Sequence, residues 1–205
     1  MKTIKLLTLL AIFVGFSSCS SDDDDPVVLQ VESEKVTNLY APQIGGDQGQ
    51  PASGEFVKFD FSTGLVTTSS TDWDIAFRGT KIAINGGTSS GLTDEPDRTG
   101  NAAAYLATGT FADVTNVDTD LLEPDSVNGL VLNNWYTYAG PPTHAINPIP
   151  GKILVIRTRD GKYAKVEILS YYKDSPENPD SNIHDERYYT FDYVYQPNEG
   201  VTTFE

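Results

Sequence analysis

Histidine is scarce in this chain, and both copies occur in polar stretches that adjoin aromatic segments. His144 lies in PPTHAINPIPGK, residues 141–152, and His184 lies in SNIHDERYYTF, residues 181–191. Proline, asparagine and charged residues make both stretches loops. Binding residues concentrate in loops that a rigid scaffold positions. The two histidine-bearing loops are therefore the first candidates for a binding site.

Two histidines on separate loops suit some metal chemistries better than others. Their spacing excludes the helical H-x-x-x-H arrangement. A closed zinc site usually takes four protein ligands. Haem supplies four equatorial nitrogens itself, so one histidine from each loop completes the axial set of its iron. Composition alone is also satisfied by two ordinary surface histidines, and that alternative stays open.

Other chemistry-bearing motifs are weak. Residues 87–91, GTSSG, match the nucleophile-elbow pattern G-x-S-x-G, but the segment that follows is not helical. Asp118, Asp120 and Glu123 lack the spacing and the central glycine of an EF-hand loop. No nucleophile–base constellation stands out. We therefore expect a binding protein and not an enzyme.

The elements that must position the loops read as strands. Apolar residues alternate with polar ones after residue 55, and no long stretch has a helical period. Residues 152–173 predict a hairpin whose Asp160-Gly161 pair suits a type I′ turn. Residues 85–129 read as long loops. The residues predicted to share a face are Val57, Phe59 and Phe61, then Trp73, Ile75 and Phe77, then Tyr189, Phe191, Tyr193 and Tyr195. The prediction is an all-β fold, a single β-dominated domain with long loops that clamp the ligand.

The N-terminus predicts export. Residues 1–18 have two lysines and a short apolar run and read as a lipoprotein signal peptide. Cys19, the only cysteine, follows in a lipobox-like context and is the predicted lipidation site. Residues 19–30 form an acidic leader, and residues 31–205 form the β domain. A soluble secreted protein with a chance cysteine is the alternative.

Composition limits the classes of partner. The chain has 205 residues, 39% of them hydrophobic, and a formal net charge of −15. That hydrophobic share supports a real core and argues against a disordered chain. An acidic surface repels phosphates, so no nucleic-acid partner is expected.

Three segments together resemble the HmuY family of haem-binding, haemophore-like outer-membrane lipoproteins from Bacteroidetes. They are SSTDWDIAFRGTKI, PIPGKILVIRTRDGKYAKVEILSYYKD and RYYTFDYVYQPN. The resemblance runs from about residue 31 to the C-terminus. It implies an all-β fold and two loops that clamp haem b (iron protoporphyrin IX), bound as cargo, with one axial ligand from each loop.

By position, the resemblance implies that His144 and His184 are the haem-iron ligands. Some family members use methionine, but the only methionine here is Met1, which leaves with the signal peptide. The haem propionates require basic partners, for which the candidates are Lys81, Arg98, Lys152 and Arg187. Because iron needs a deprotonated imidazole nitrogen, binding is expected to weaken in acidic solution.

The resemblance also implies a setting. Haem would be taken from host or community haemoproteins and passed to a TonB-dependent outer-membrane receptor for iron and haem uptake. The protein would be lipid-anchored in the outer membrane and exposed at the cell surface. The pattern allows a released form and a homo-oligomer. The alternative function is a glycan-binding or adhesion lipoprotein that uses Trp73, Trp135 and the tyrosines as sugar platforms.

Overall fold

The fold is built almost wholly from strands, as the sequence predicted. The computed structural model describes residues 28–46 and 49–205. The predicted signal peptide, Cys19 and the acidic run lie outside the described residues. Within the described part, one short 3-10 helix covers Thr119–Leu121. The strands are β1 Glu32–Tyr40, β2 Val57–Asp60, β3 Leu65–Thr67, β4 Ile75–Arg78, β5 Lys81–Ile84, β6 Ala103–Thr108, β7 Tyr136–Tyr138, β8 Ile146–Pro148, β9 Lys152–Arg157, β10 Tyr163–Tyr172 and β11 Glu186–Gln196.

Two antiparallel sheets pack face to face. The larger sheet has the order β1-β11-β10-β9-β6, and the smaller has the order β3-β2-β4-β5. Phe59 and Phe77 of the smaller sheet meet Phe191 of the larger sheet, with ring centroids 5.6 and 5.8 Å apart. This interleaving of inward-facing side chains is that of a β-sandwich. A separate hairpin of β7 and β8 packs beside β10.

Strand β9 shows why part of the chain reads as a continuous apolar run. Leu154 and Ile156 face the central core, whereas Ile153 and Val155 face a second cluster with Val117 and Phe204. Both faces of this strand are therefore covered, and strict alternation is lost.

The hairpin of β9 and β10 is confirmed, but its predicted type I′ turn is wrong. Thr158 pairs with Lys162, and the Gly161 amide donates to the Thr158 carbonyl at 3.1 Å. Of the turn residues only Gly161 has a positive φ, 89°. A type I′ turn needs two such residues, so this is a three-residue loop. The longer loop lets Arg159 reach Asp60 and Asp74 at 3.0 and 3.1 Å.

The face predicted for Trp73 is also wrong. Ile75 and Phe77 enter the central core as expected, but Trp73 packs on the opposite face of the smaller sheet with Phe56 and Ala76. The reason is that β4 begins only at Ile75, so the two-residue period does not reach back to Trp73.

None of the helical structure in residues 28–46 and 49–205 has the length and apolar character that a membrane crossing requires.

Candidate functional site

His144 sits at the tip of the β7–β8 hairpin. Tyr138 pairs with Ile146, and residues 139–145 form the turn between them. The Ala139 amide donates to the Ala145 carbonyl, and the His144 amide donates to the Gly140 carbonyl, both at 2.8 Å. His144 itself has a φ of 53° and an exposed side chain. The turn thus fixes the backbone and leaves the imidazole exposed to solvent, where it can meet a ligand.

An aromatic base supports this hairpin. Trp135, directly before β7, is 1% exposed, and its indole nitrogen donates to the Thr80 carbonyl at 3.1 Å. Its ring packs against Tyr136 and Tyr189 at centroid distances of 4.8 and 5.4 Å. Such packing restricts the hairpin to one position on the sandwich.

The second histidine is held by a single turn of residues 180–184. The His184 amide donates to the Asp180 carbonyl at 2.9 Å. In return the Asp180 amide donates to Nδ1 of His184 at 3.1 Å. The imidazole also meets the edge of Tyr172 at a centroid distance of 6.4 Å. Both backbone and ring of His184 are therefore positioned by its own turn.

The structure brings the two histidine loops, residues 139–145 and 173–185, into contact. The Ser181 amide donates to the Thr143 carbonyl at 2.9 Å, and the Ser181 hydroxyl donates to the His144 carbonyl at 3.0 Å. The Asn182 side-chain amide donates to the Pro142 carbonyl at 2.9 Å. These three hydrogen bonds join two segments that are far apart in sequence.

Tyr172, at the end of β10, connects this contact to the sandwich. Its hydroxyl accepts from the Ile146 amide and bonds the Ser181 hydroxyl, each at 2.8 Å. Because the Ser181 proton is already given to His144, the Tyr172 proton must go to Ser181. The resulting chain runs in one direction from the Ile146 amide to the His144 carbonyl.

The carboxylate of Asp180 is influenced by both histidines. Hydrogen bonds from the backbone and side chain of Asn182 lower the pKa of Asp180, and the His184 and His144 imidazoles lower it further. Both rings are thus close enough to one carboxylate to influence it.

The basic residues near the site differ in availability. Arg98 is 3% exposed and held by Glu95 and Asp125, so it cannot reach a ligand at the histidines. Arg187, the second residue of β11, donates to the Gln43 carbonyl at 3.0 Å and pairs with Glu186 at 3.3 Å. Lys173, which sequence reasoning missed, is half-exposed at the start of the same loop.

Sequence reasoning also missed Tyr138, whose hydroxyl bonds Nδ1 of His144. Its position, six residues before the histidine and across a Gly-Pro-Pro turn, was an available signal. The sugar-platform alternative loses its two tryptophans, because Trp73 and Trp135 are 0% and 1% exposed and present no face to solvent.

One cavity lies away from the histidine loops. It has a volume of about 380 Å³ and apolar walls that include Ile44, Phe56, Val57 and Val66. None of its lining residues belongs to the histidine loops. It offers packing surface but neither of the chain's imidazoles.

Comparisons with known proteins give one family match and several structural matches. The model of a family described as HmuY protein matches residues 52–193. The crystal structure of an apo HmuY analogue from Tannerella forsythia is 14% identical, with a TM-score of 0.51, covering 83% of this chain and 99% of that one. This likeness shows a shared fold.

Two further crystal structures align with lower scores. One is a Bacteroides vulgatus protein described as HmuY-like and haem-binding, with 16% identity and a TM-score of 0.49 over 82% of this chain and 93% of that one. The other is a Bacteroides fragilis protein described as a lipoprotein, with 12% identity and a TM-score of 0.48 over 82% and 91%. No curated protein matches the chain.

Proposed function

The chain belongs to the HmuY family, and from this premise we propose that it is a haem-binding lipoprotein that captures haem through His144 and His184. The observation that carries the proposal is the contact between the two histidine loops. Ser181 joins them by two hydrogen bonds, to Thr143 and to His144. The only two imidazoles of the chain are thereby held on neighbouring loops.

Two neutral imidazoles suit a carrier. Together with the four porphyrin nitrogens they fill all six positions of the iron, which leaves none for oxygen. The apolar porphyrin also needs apolar cover. Tyr138 and Ile183, beside the two histidines, are 56% and 76% exposed and can supply it. Arg187 and Lys173 would meet the propionates, in exchange for their present pairing with Glu186 and Asp185.

The first described residues lie at the end of the sandwich opposite the histidine loops. Leu29 exchanges two hydrogen bonds of 2.8 Å with Asn198, just beyond the C-terminal end of β11. His184 precedes the N-terminal end of that strand, which has 11 residues. At about 3.3 Å per residue the strand spans roughly 36 Å.

Two loops that can separate suit the capture of haem and its later delivery. Haem from host or community haemoproteins would be bound between the loops and released to a TonB-dependent outer-membrane receptor for iron uptake. Each of the three hydrogen bonds that close the loops contributes about 0.5–1.5 kcal/mol, a cost that ligand binding can offset. A glycan-binding function remains the alternative outcome of the test.

A visible absorption titration with haemin tests the proposal. The native protein should give a saturable one-to-one Soret shift with a six-coordinate low-spin spectrum. His144→Ala and His184→Ala should each lose that spectrum and weaken binding at least about 100-fold, since a ligand should cost no less than the 10- to 100-fold of an outer-shell residue. Asn134→Ala, which like His144 has a positive φ, is the control and should bind normally.

Two results would contradict the proposal. One is the absence of a specific Soret shift, and the other is a shift that neither histidine substitution changes. Either would leave the family likeness as one of fold and favour a glycan ligand. The native affinity should also fall between pH 8 and pH 5, because protonated imidazoles do not ligate iron. A flat profile would argue against histidine ligation.

A further inference from the structure

The two histidines differ in what their Nδ1 atoms contact. Nδ1 of His144 bonds the Tyr138 hydroxyl, whose oxygen can donate or accept. Nδ1 of His184 bonds the Asp180 amide, which can only donate. The partner of one ring nitrogen decides which nitrogen carries the proton. The two rings are therefore prepared differently for iron.

His144 can ligate iron through Nε2 without losing the partner of its Nδ1. When its Nδ1–H donates to the Tyr138 oxygen, the lone pair of Nε2 is free. The Tyr138 ring lies 5.9 Å from the imidazole, centroid to centroid, with 33° between the planes. The contact and the hydrogen bond together hold the orientation of the ring, and the hydroxyl, unlike an amide, can accept the Nδ1 proton. This is how second partners orient metal-bound histidines in general.

His184 is set against ligation through Nε2. Its Nδ1 accepts the Asp180 amide proton at 3.1 Å, so the neutral ring carries its own proton on Nε2. For Nε2 to bind iron, that proton must leave to water and another must be taken from water by Nδ1. The net proton count is unchanged, but the bond to the Asp180 amide is lost.

We propose that Tyr138 is the positioning residue of His144 and that haem capture is consequently ordered, with His144 ligating first and His184 second. This inference rests on the proposed haem-binding function. Haem would first meet the β7–β8 hairpin that carries His144. The loop of residues 173–185, which carries His184, would then close over it.

Tyr138→Phe tests the positioning role, because it keeps the ring and removes the hydroxyl. The dissociation constant for haemin should rise about 10- to 100-fold, the usual effect of removing such a partner. The six-coordinate spectrum should persist, and the reduction potential should rise because a less basic imidazole stabilises ferric iron less. Tyr105→Phe, which removes a hydroxyl that accepts from the Asp118 amide at 3.0 Å, is the control and should change neither quantity.

Double variants show whether Tyr138 acts through His144. The effect of Tyr138→Phe should persist in a His184→Ala background and vanish in a His144→Ala background. An equal effect in both backgrounds would overturn the assignment, as would no effect in the native protein. Native binding through both histidines together with a silent Tyr138→Phe would refute this inference and leave the proposed function intact. Failure of the native protein to bind haemin would refute the function itself.

Stopped-flow absorption tests the order. The native protein should pass through a five-coordinate intermediate before the six-coordinate product. His184→Ala should form that intermediate at the native rate and stop there, whereas His144→Ala should lose the fast phase. Equal fast phases in the two variants would overturn the order.

Discussion

Residues 85–102 and the two histidine loops are irregular segments that the fold holds in different ways. In the first segment, Arg98 bonds Glu95 at 2.7 Å and Asp125 at 3.0 Å, and all three side chains are at most 4% exposed. The histidine loops meet instead through the neutral groups of Ser181 and Asn182. One segment depends on buried charges and the other on neutral hydrogen bonds near the surface.

The difference separates a fixed element from one that can open. Breaking a buried ion pair leaves an uncompensated charge and costs about 3–5 kcal/mol. A neutral hydrogen bond near water contributes about 0.5–1.5 kcal/mol. Residues 85–102 should therefore stay in place, while the histidine loops can separate to admit a flat ligand. Substitutions in residues 85–102 and in the histidine loops can test this contrast.

Asp125→Ala should give the largest effect. The Asp125 carboxylate accepts from the Ile84 and Val131 amides at 3.0 and 2.9 Å as well as from Arg98. Burial raises its pKa, so the charged form depends on these donors. The free energy of unfolding, measured by urea denaturation, should fall by about 3–5 kcal/mol. Asp185→Ala, in a histidine loop and 71% exposed, is the matched control and should cost under about 1 kcal/mol. Equal losses would remove the contrast.

Tyr172→Phe should give the next effect, because it removes the hydroxyl that joins the loops to β10. The Ile146 amide would lose its acceptor and Ser181 its donor, at an expected cost of about 1–3 kcal/mol in unfolding free energy. Tyr189→Phe is the matched control, since it keeps the ring that packs on Trp135 and removes only a buried hydroxyl that donates to the Gly79 carbonyl at 2.8 Å. Both variants should lose stability, but only Tyr172→Phe should speed haemin dissociation. The same dissociation rate in both would place the opening step elsewhere.

Strands β2 and β11 could be predicted from the sequence because apolar and polar residues alternate along them. Phe59, Phe191 and Tyr193 lie in the core as predicted. Turn geometry could not be predicted at residues 158–162, because Arg159 is drawn to two carboxylates of the other sheet. Alternation also failed before the first residue of β4, where Trp73 turns to the opposite face.

The candidate site divides in the same way. The two histidines could be found because they are rare and lie in loops, and the family likeness supplied their pairing. Ser181 could not be found, since nothing local indicates that its hydroxyl meets a carbonyl 37 residues away. That contact depends on where β10 and β11 end, and their register shifts twice between Ile168 and Tyr172. Long-range register of this kind is set by packing of the whole sheet.

Acid should lower the stability that residues 85–102 contribute to the fold by a measurable amount. Burial alone raises the pKa of Glu95, but hydrogen bonds from Ser90, Leu92 and Arg98 outweigh it and lower the pKa from 4.5 to about 2. The stability that ionised Glu95 contributes is therefore present above pH 4.5 and lost as the pH falls towards 2. The full shift corresponds to about 3 kcal/mol, which solvent screening reduces to about 1–2 kcal/mol.

Urea denaturation of Glu95→Gln across this pH range checks the expectation. The variant should be less stable than the native protein near neutral pH, and the difference should shrink as the solution approaches pH 2. Ser90→Ala removes one donor but keeps the carboxylate, so it should lose only part of the difference. A native-to-variant difference that is constant with pH would show that Glu95 is not held by these donors.

Ser181→Ala should have the smallest effect on stability and the most specific effect on the loops. Its hydroxyl links Tyr172 to the His144 carbonyl, and water can replace it, so the unfolding free energy should fall by about 0.5–1.5 kcal/mol. Hydrogen exchange of the Ser181 amide, which bonds Thr143, should quicken, and haemin should both enter and leave faster. Ser69→Ala, in the loop before β4, should change none of these rates. Faster exchange with unchanged haemin rates would mean that the loops open without admitting the ligand, and the contrast between a fixed and an opening segment would then lose its functional meaning.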